Sequence, residues 1–200
     1  MKNALIPFGI AFFSFLALQA KVLPPSLDQD SVFLIDDFSR DDGRSTLGTA
    51  WRSFSDQVMG GLSEGRHRFE EWGGERCVRL TGEVSLDNNG GFIQVALALE
   101  SRNRAFDASP YLGIRIRVRG NQARYYLHLR STQTQRPWQY YAADFEATDE
   151  WRTLEIPFSR FKAENLQEAL NTGELLRMAL VGAWQEFKVD VAVSRIEFYR

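Results

Sequence analysis

The residues best equipped for chemistry lie between positions 112 and 130. Leu112-Gly-Ile114-Arg-Ile116-Arg-Val118-Arg119 alternates aliphatic and guanidinium side chains, and Arg124-Tyr-Tyr126-Leu-His128-Leu-Arg130 repeats the division. Side chains alternate across a strand, so each segment, if extended, puts its polar set on one face. Five arginines fall within these sixteen positions from 115 to 130, more than solubility requires. A guanidinium offers forked donors to a carboxylate, and an aromatic ring offers a stacking face to a sugar. If the two segments pair as antiparallel neighbours, Arg115, Arg117, Arg119, Tyr126, His128 and Arg130 form one rigid recognition platform, with a ring from Trp138–Tyr141 beside it. The alternative is an ordinary solvated face whose arginines pair with acids on neighbouring strands.

Two other stretches could shape or contact a ligand. They are Asp56-Gln-Val-Met59-Gly60-Gly61-Leu-Ser63 and Asn88-Asn89-Gly90-Gly91-Phe92. Each sets paired glycines beside short polar side chains and a large apolar one. Glycine accepts positive φ and lets backbone or ligand approach closely, so Gly60, Gly61, Gly90 and Gly91 are expected to make forced turns. Asp56 and Asn89 are the candidate binding residues within them. Neither pair opens a helix, so neither offers the amide array that holds phosphate.

Catalytic machinery is not expected. His67, His128 and Cys77 are the whole stock of histidine and cysteine, too small for the usual zinc site. There is no nucleophile elbow, His-Glu-x-x-His, phosphate-binding loop or dinucleotide fingerprint. Carboxylates such as Asp144 and Glu155 would have to converge from separate strands to hydrolyse a glycoside. Asp36-Asp37 and Asp41-Asp42-Gly43 carry oxygen ligands for structural calcium, but without the spacing of a known calcium loop they are expected to form turns. No cofactor or metal is therefore assigned. Cys77, with no partner for a disulfide, is expected to be structural.

The elements that must position these residues are strands. Short alternating segments recur from Val32 to Phe198 at the spacing of an all-β sandwich. Val189, Val191, Ile196 and Phe198 are expected in the core. Gly91–Leu99 is apolar on both faces, as a central strand would be. Leu166, Ala169 and Leu170 fall at helical spacing and allow one or two helical turns. No repeat, coiled coil or second domain is visible, so residues 31–200 read as one β-sandwich domain.

The amino terminus sets the compartment. Lys2 followed by the apolar run Ala4–Leu18 and the small residue Ala20 has the form of a signal peptide over residues 1–20. Residues 21–30, with Pro24-Pro25, form an extended tether. The expected location is the periplasm; the alternative is an anchor formed by residues 4–18, although a span needs roughly 20 apolar residues. Without Lys2, 23 of the 24 basic residues remain against 26 acids, a net charge of −3. That balance argues against nucleic acid as a partner.

Asp56-x-Val58-Met59-Gly60-Gly61-x-Ser63, then Asn89-Gly90-Gly91-Phe92, Gly113-Ile-Arg115-Ile-Arg117-Val-Arg119-Gly120 and Trp151…Ile156-Pro157-Phe158…Phe161 occur in order along the chain. In this the sequence resembles the complex I intermediate-associated protein 30 family, from Asp37-Phe38 to the last strand. The resemblance implies a jelly roll of the galactose-binding-domain-like type and a non-enzymatic role, since mitochondrial members help assemble respiratory complex I. The leading expectation is thus a binding or assembly module acting through protein–protein contacts. A carbohydrate-binding module of the envelope is the competing class, and a hydrolase of envelope polymers the third. The signal segment generates a direct test. The intact mass of protein from the envelope fraction should match a chain beginning near Lys21, and a mass retaining residues 1–20 would show an anchor instead.

Overall fold

The alternation read along the chain becomes twelve strands in the computed structural model, which describes residues 32–100 and 104–200. The expected signal segment and tether lie outside the described residues. The strands are β1 Phe33–Asp36, β2 Trp51–Ser55, β3 Glu64–Trp72, β4 Glu75–Val84, β5 Phe92–Ala98 and β6 Gly113–Gly120. They continue with β7 Ala123–Ser131, β8 Tyr140–Ala147, β9 Arg152–Pro157, β10 Lys162–Glu164, β11 Leu175–Ala183 and β12 Phe187–Tyr199. One sheet runs β3-β4-β12-β6-β9, with β1 also on β12; the second runs β10-β8-β7-β11-β5-β2. The pairings are antiparallel, and the two sheets form the expected all-β jelly-roll sandwich.

The core is the sum of the inward positions. Leu80, Ile114, Ile116 and Phe198 of the first sheet meet Ile93, Leu97, Leu127 and Leu180 of the second, all of them buried. Each such side chain contributes about 1.5–3 kcal/mol when fully removed from water. Val189, Val191, Ile196 and Phe198 are buried as expected. So is Cys77, which is unpaired and whose thiol is pushed by burial up to about 11, consistent with a packing role.

Local departures from expectation have local causes. No helical turn forms across Leu166–Leu170. Side chains of other segments claim the carbonyls there: Gln139 Nε2 donates to Asn165 O and Gln133 Nε2 to Ala169 O, while Leu166 and Leu170 pack against the core. The first strand stops at Asp36, whose carboxylate accepts from Phe38 N and Trp51 Nε1, each at 2.8 Å. The other early acids also serve turns and ion pairs: Asp37 accepts from Ser39, Asp41 from Arg76 and Asp42 from Arg40. Among the described residues no helix is long and apolar enough to cross a membrane.

The two glycine stretches meet at one carboxylate. Residues 56–63 carry the chain from β2 in the second sheet to β3 in the first, and residues 85–91 carry it back from β4 to β5. Asp56, fully buried, accepts from Ser63 N at 2.9 Å, the Ser63 hydroxyl, Gly91 N at 2.6 Å and Phe92 N at 3.2 Å. Burial alone would raise its pKa; these hydrogen bonds outweigh burial and hold it below 3.8. The glycines make room for this arrangement. A Cβ on Gly61 would overlap the Asp56 carboxyl, and one on Gly90 would sit 2.6 Å from Asp56 Oδ2. Gly60 and Gly91 adopt φ of +90° and +137°, backbone that disfavours a side chain. The β11–β12 connection joins the same end, with Trp184 N donating to Gly91 O at 3.0 Å.

Asp56→Ala would leave buried N–H donors unpaired, each costing about 1–3 kcal/mol. Chemical unfolding should therefore show a loss of at least ~3 kcal/mol, and Gly61→Ala should be destabilising by overlap with the same carboxylate. Because the folded pKa of Asp56 is depressed, its contribution is present above 3.8, its ordinary value, and fades as pH falls through the lower folded value. The stability gap between wild type and Asp56→Asn should accordingly narrow below pH 3.8; a constant gap would contradict this account.

Candidate functional site

The two alternating segments do not make one platform. β6 pairs with β12 and β9 in the first sheet, while β7 pairs with β8 and β11 in the second. The corner between them changes sheet rather than forming a hairpin. Gly120 lies so close to the opposite sheet that a Cβ there would be 2.7 Å from Ala147 Cβ, and Gln122 turns the chain at φ +62°. Arg115, Arg117 and Arg119 therefore project from one outer face of the sandwich, and Tyr126, His128 and Arg130 from the other. Asp144 and Glu155 are divided in the same way, on β8 and β9, so they do not converge as a hydrolytic pair.

On the first face most of the arginines are neutralised by the chain itself. Arg115 bonds Glu155 at 2.7 Å and Glu197 at 2.9 Å; Arg117 bonds Glu75 at 2.5 Å; Arg79 bonds Asp190 at 2.7 Å and Glu70 at 2.9 Å. Hydrogen bonds to Glu155 and Glu75 raise the pKa values of Arg115 and Arg117, and Arg117 lowers that of Glu75. Among the described residues Arg119 has no acid; its guanidinium lies over Trp72, 4.6 Å from the ring centroid, and its buried Nε has no hydrogen-bond partner. This is the cross-strand pairing of a solvated sheet face.

The second face is built differently. Small side chains occupy consecutive register positions across its middle: Ala142 on β8 and Ala179 on β11 flank His128, and Ala96 on β5 follows Ala179. These alanines point away from the core, yet they are only 3–8% exposed because taller side chains stand on either side. The result is a shallow furrow of small side chains between taller rows, with Phe54, Phe92 and Tyr126 packed against its alanines. Glu164, Tyr140, Arg130 and Arg177 line one side; Asp144, Tyr126, Val181 and Phe54 line the other. Tyr140 stacks on His128 with centroids 4.2 Å apart and planes at 12°. Trp184 stands edge-on to Tyr126 at 4.2 Å, with its backbone at φ +66°. His128 is half-buried as a residue, but its Nε2 is hidden from solvent and has no hydrogen-bond partner. Burial pushes its pKa down to about 3, so the imidazole is neutral. A polar atom buried without a partner is uncommon in a folded protein and calls for an explanation.

Of the expected site residues, Tyr126, His128 and Arg130 therefore come together, joined by Tyr140 from the Trp138–Tyr141 segment. Arg115 and Arg117 lie on the opposite side. The Asp56 carboxylate is turned inward and committed to backbone, and Asn89 ends the 3-10 turn Asp87–Asn89. Around these turns Val58, Met59, Leu62 and Leu86 are exposed at 75, 65, 53 and 47%. Sequence reasoning missed Phe54, Arg177, Ala179 and Trp184. A signal was present: Val95-Ala96-Leu97-Ala98 and Met178-Ala179-Leu180 alternate large inward with small outward residues, the pattern of a sheet face with a sunken middle. Among the described residues no three His, Cys, Asp or Glu side chains group as metal ligands would.

Residues 37–185 match the family model described as complex I intermediate-associated protein 30. No curated protein sequence matches the chain. Several solved structures share the fold. A family 11 carbohydrate-binding module from Clostridium thermocellum, in complex with a β-1,3-1,4-mixed-linked tetrasaccharide, has a TM-score of 0.64 at 14% identity, covering 84% of this chain and 95% of its own. The family 11 module of the cellulosomal cellulase Lic26A-Cel5E of the same organism gives 0.63 at 16% identity, covering 85% and 95%. A family 30 carbohydrate-binding module gives 0.54 at 14%, covering 86% and 84%.

The geometry of the first face predicts a small effect there. Arg117→Ala breaks a partly exposed ion pair, so denaturant unfolding should shift by no more than ~1 kcal/mol. Ligand capture by the folded variant should be unchanged.

Proposed function

The chain belongs to the complex I intermediate-associated protein 30 family, and we propose that it is a non-catalytic binding module, exported to the periplasm, that receives a sugar strand in the furrow across its second sheet. One observation carries this reading: a row of small side chains, Ala142, Ala179 and Ala96, interrupted by His128 with its unpartnered Nε2 and bordered by Tyr140, Tyr126 and Phe54. Aromatic walls supply apolar contact to sugar rings, while fixed polar groups set their orientation. A surface row that crosses several strands suits a linear polymer more than a single small molecule. The fold shared with carbohydrate-binding modules supports the reading without carrying it, because one architecture serves many functions.

A protein partner is the second reading, and a separate observation favours it. Val58, Met59, Leu62 and Leu86 form an exposed apolar set on the turns around Asp56. Contiguous exposed apolar surface marks association sites, and the family description concerns an associated protein of a complex I intermediate.

Titration calorimetry with neutral and acidic oligosaccharides tests the first reading. Saturable binding is expected, weakened roughly tenfold or more by Tyr126→Ala or Trp184→Ala in folded protein. Binding that ignores both substitutions, or no binding by any glycan, would sink it. Under the second reading, Met59→Asp would abolish association with the partner while glycan binding stays absent.

A further inference from the structure

We infer that the furrow is built for an anionic sugar unit, bearing a carboxylate or a sulfate ester, held by Arg130 and Arg177; this rests on the glycan reading of the furrow. The two arginines are register partners on the hydrogen-bonded strands β7 and β11. Among the described residues neither forms an ion pair. Arg130 donates to Thr134 O at 3.0 Å, Arg136 O at 2.9 Å and Thr134 Oγ1 at 3.3 Å. Arg177 is exposed, and its guanidinium reaches to 5.9 Å from the Phe54 ring on β2, over the alanine floor.

Like charges directly opposite in a sheet destabilise it, and here burial and the Arg177 charge together lower the pKa of Arg130. On the first sheet the chain sets an acid against Arg79, Arg115, Arg117 and Arg195. Among the described residues the furrow wall carries Glu164 beside Tyr140 but no acid paired with Arg130 or Arg177, a lack that Arg119 shares with them. An anion beside the two guanidinium groups would relieve their repulsion. The planar fork of Arg177 matches two oxygens of a carboxylate or sulfate, while Arg130, whose Nε and Nη2 are bonded to Thr134 and Arg136, adds its charge and Nη1. An acidic peptide would bring the same charge. The alanine floor, however, offers no deep pocket for the large side chains that anchor peptides, which favours a flat sugar ring beside Tyr140 and Tyr126.

The test is calorimetric titration of the full chain at low and moderate salt with four probes. These are oligogalacturonate, a sulfated galactan oligosaccharide, a neutral mixed-linkage glucan tetrasaccharide and oligoglutamate. One of the two anionic sugars should bind roughly tenfold more tightly than the neutral one, with affinity falling as salt rises. The stronger of the two identifies the anion. Arg177→Gln should abolish this preference while its melting temperature holds or rises, since the repulsion is relieved. Arg177→Lys, which keeps the charge and loses the fork, should retain only part of it. Equal affinity for neutral and anionic sugars, or a preference that survives Arg177→Gln, overturns the inference and leaves the glycan reading intact. No binding by any sugar overturns both. Oligoglutamate bound as tightly as the sugars would assign the surface to an acidic protein segment and overturn the inference as well.

Discussion

The sandwich depends on one buried carboxylate. Asp56 sits where the chain leaves the second sheet for the first, and it accepts from the backbone where the chain returns. Without it, Ser63, Gly91 and Phe92 would each hold a polar N–H that the turn geometry gives no other partner. Its cost of burial is met by hydrogen bonds to the charged form, which keep it ionised. The same node reaches the furrow: Phe92 begins β5, and Gly91 O holds the backbone of Trp184. A structural anchor and the proposed recognition surface thus share a boundary while using different side chains.

The two outer faces follow opposite electrostatic rules. The face of β3, β4, β12, β6 and β9 matches most of its arginines with acids, so little unspent charge is left there for a partner. The face of β7, β11 and β5 keeps an unmatched pair of guanidinium groups, a solvent-hidden imidazole nitrogen and a floor of methyl groups. Stability considered alone would remove each of these features, by an acid opposite Arg130, a partner for His128 and larger side chains over Ala96 and Ala179. Their presence together on one side fits the proposed ligand surface, while the first face holds a single buried unpartnered atom, Arg119 Nε, among the described residues.

Much of this was legible in the sequence. Period-two alternation identified the strands, because a half-buried strand must alternate, and it put Val191, Ile196 and Phe198 in the core correctly. The glycine stretches were legible as turns, since paired glycines beside Asp and Ser have few other uses. Which strands are neighbours was not. Leu112–Arg119 and Arg124–Arg130 look like a hairpin, but pairing is decided by the long strand β12, which claims β6 and β4, and by β11, which claims β7. The arginine count drew attention to the wrong side for a related reason: a guanidinium carries no mark of whether an acid lies opposite on a strand tens of residues away. The helical spacing of Leu166–Leu170 misled because Asn165, at φ +59°, turns the chain out of helical geometry just before it and gives its carbonyl to the Gln139 side chain.

The division of labour between the Asp56 node and the furrow bears on how such domains can diversify. The Asp56–Ser63 run is occupied with keeping two crossovers together, and its acidic side chain faces inward. The residues that would meet a ligand sit in other strands, at outward positions where substitution leaves the core untouched. A relative could therefore exchange Tyr126, His128, Tyr140 or Arg177 for another set and keep its signature whole. On the proposed reading the turn stretch and the ligand-facing residues lie on separate parts of the chain, so a change in one need not disturb the other.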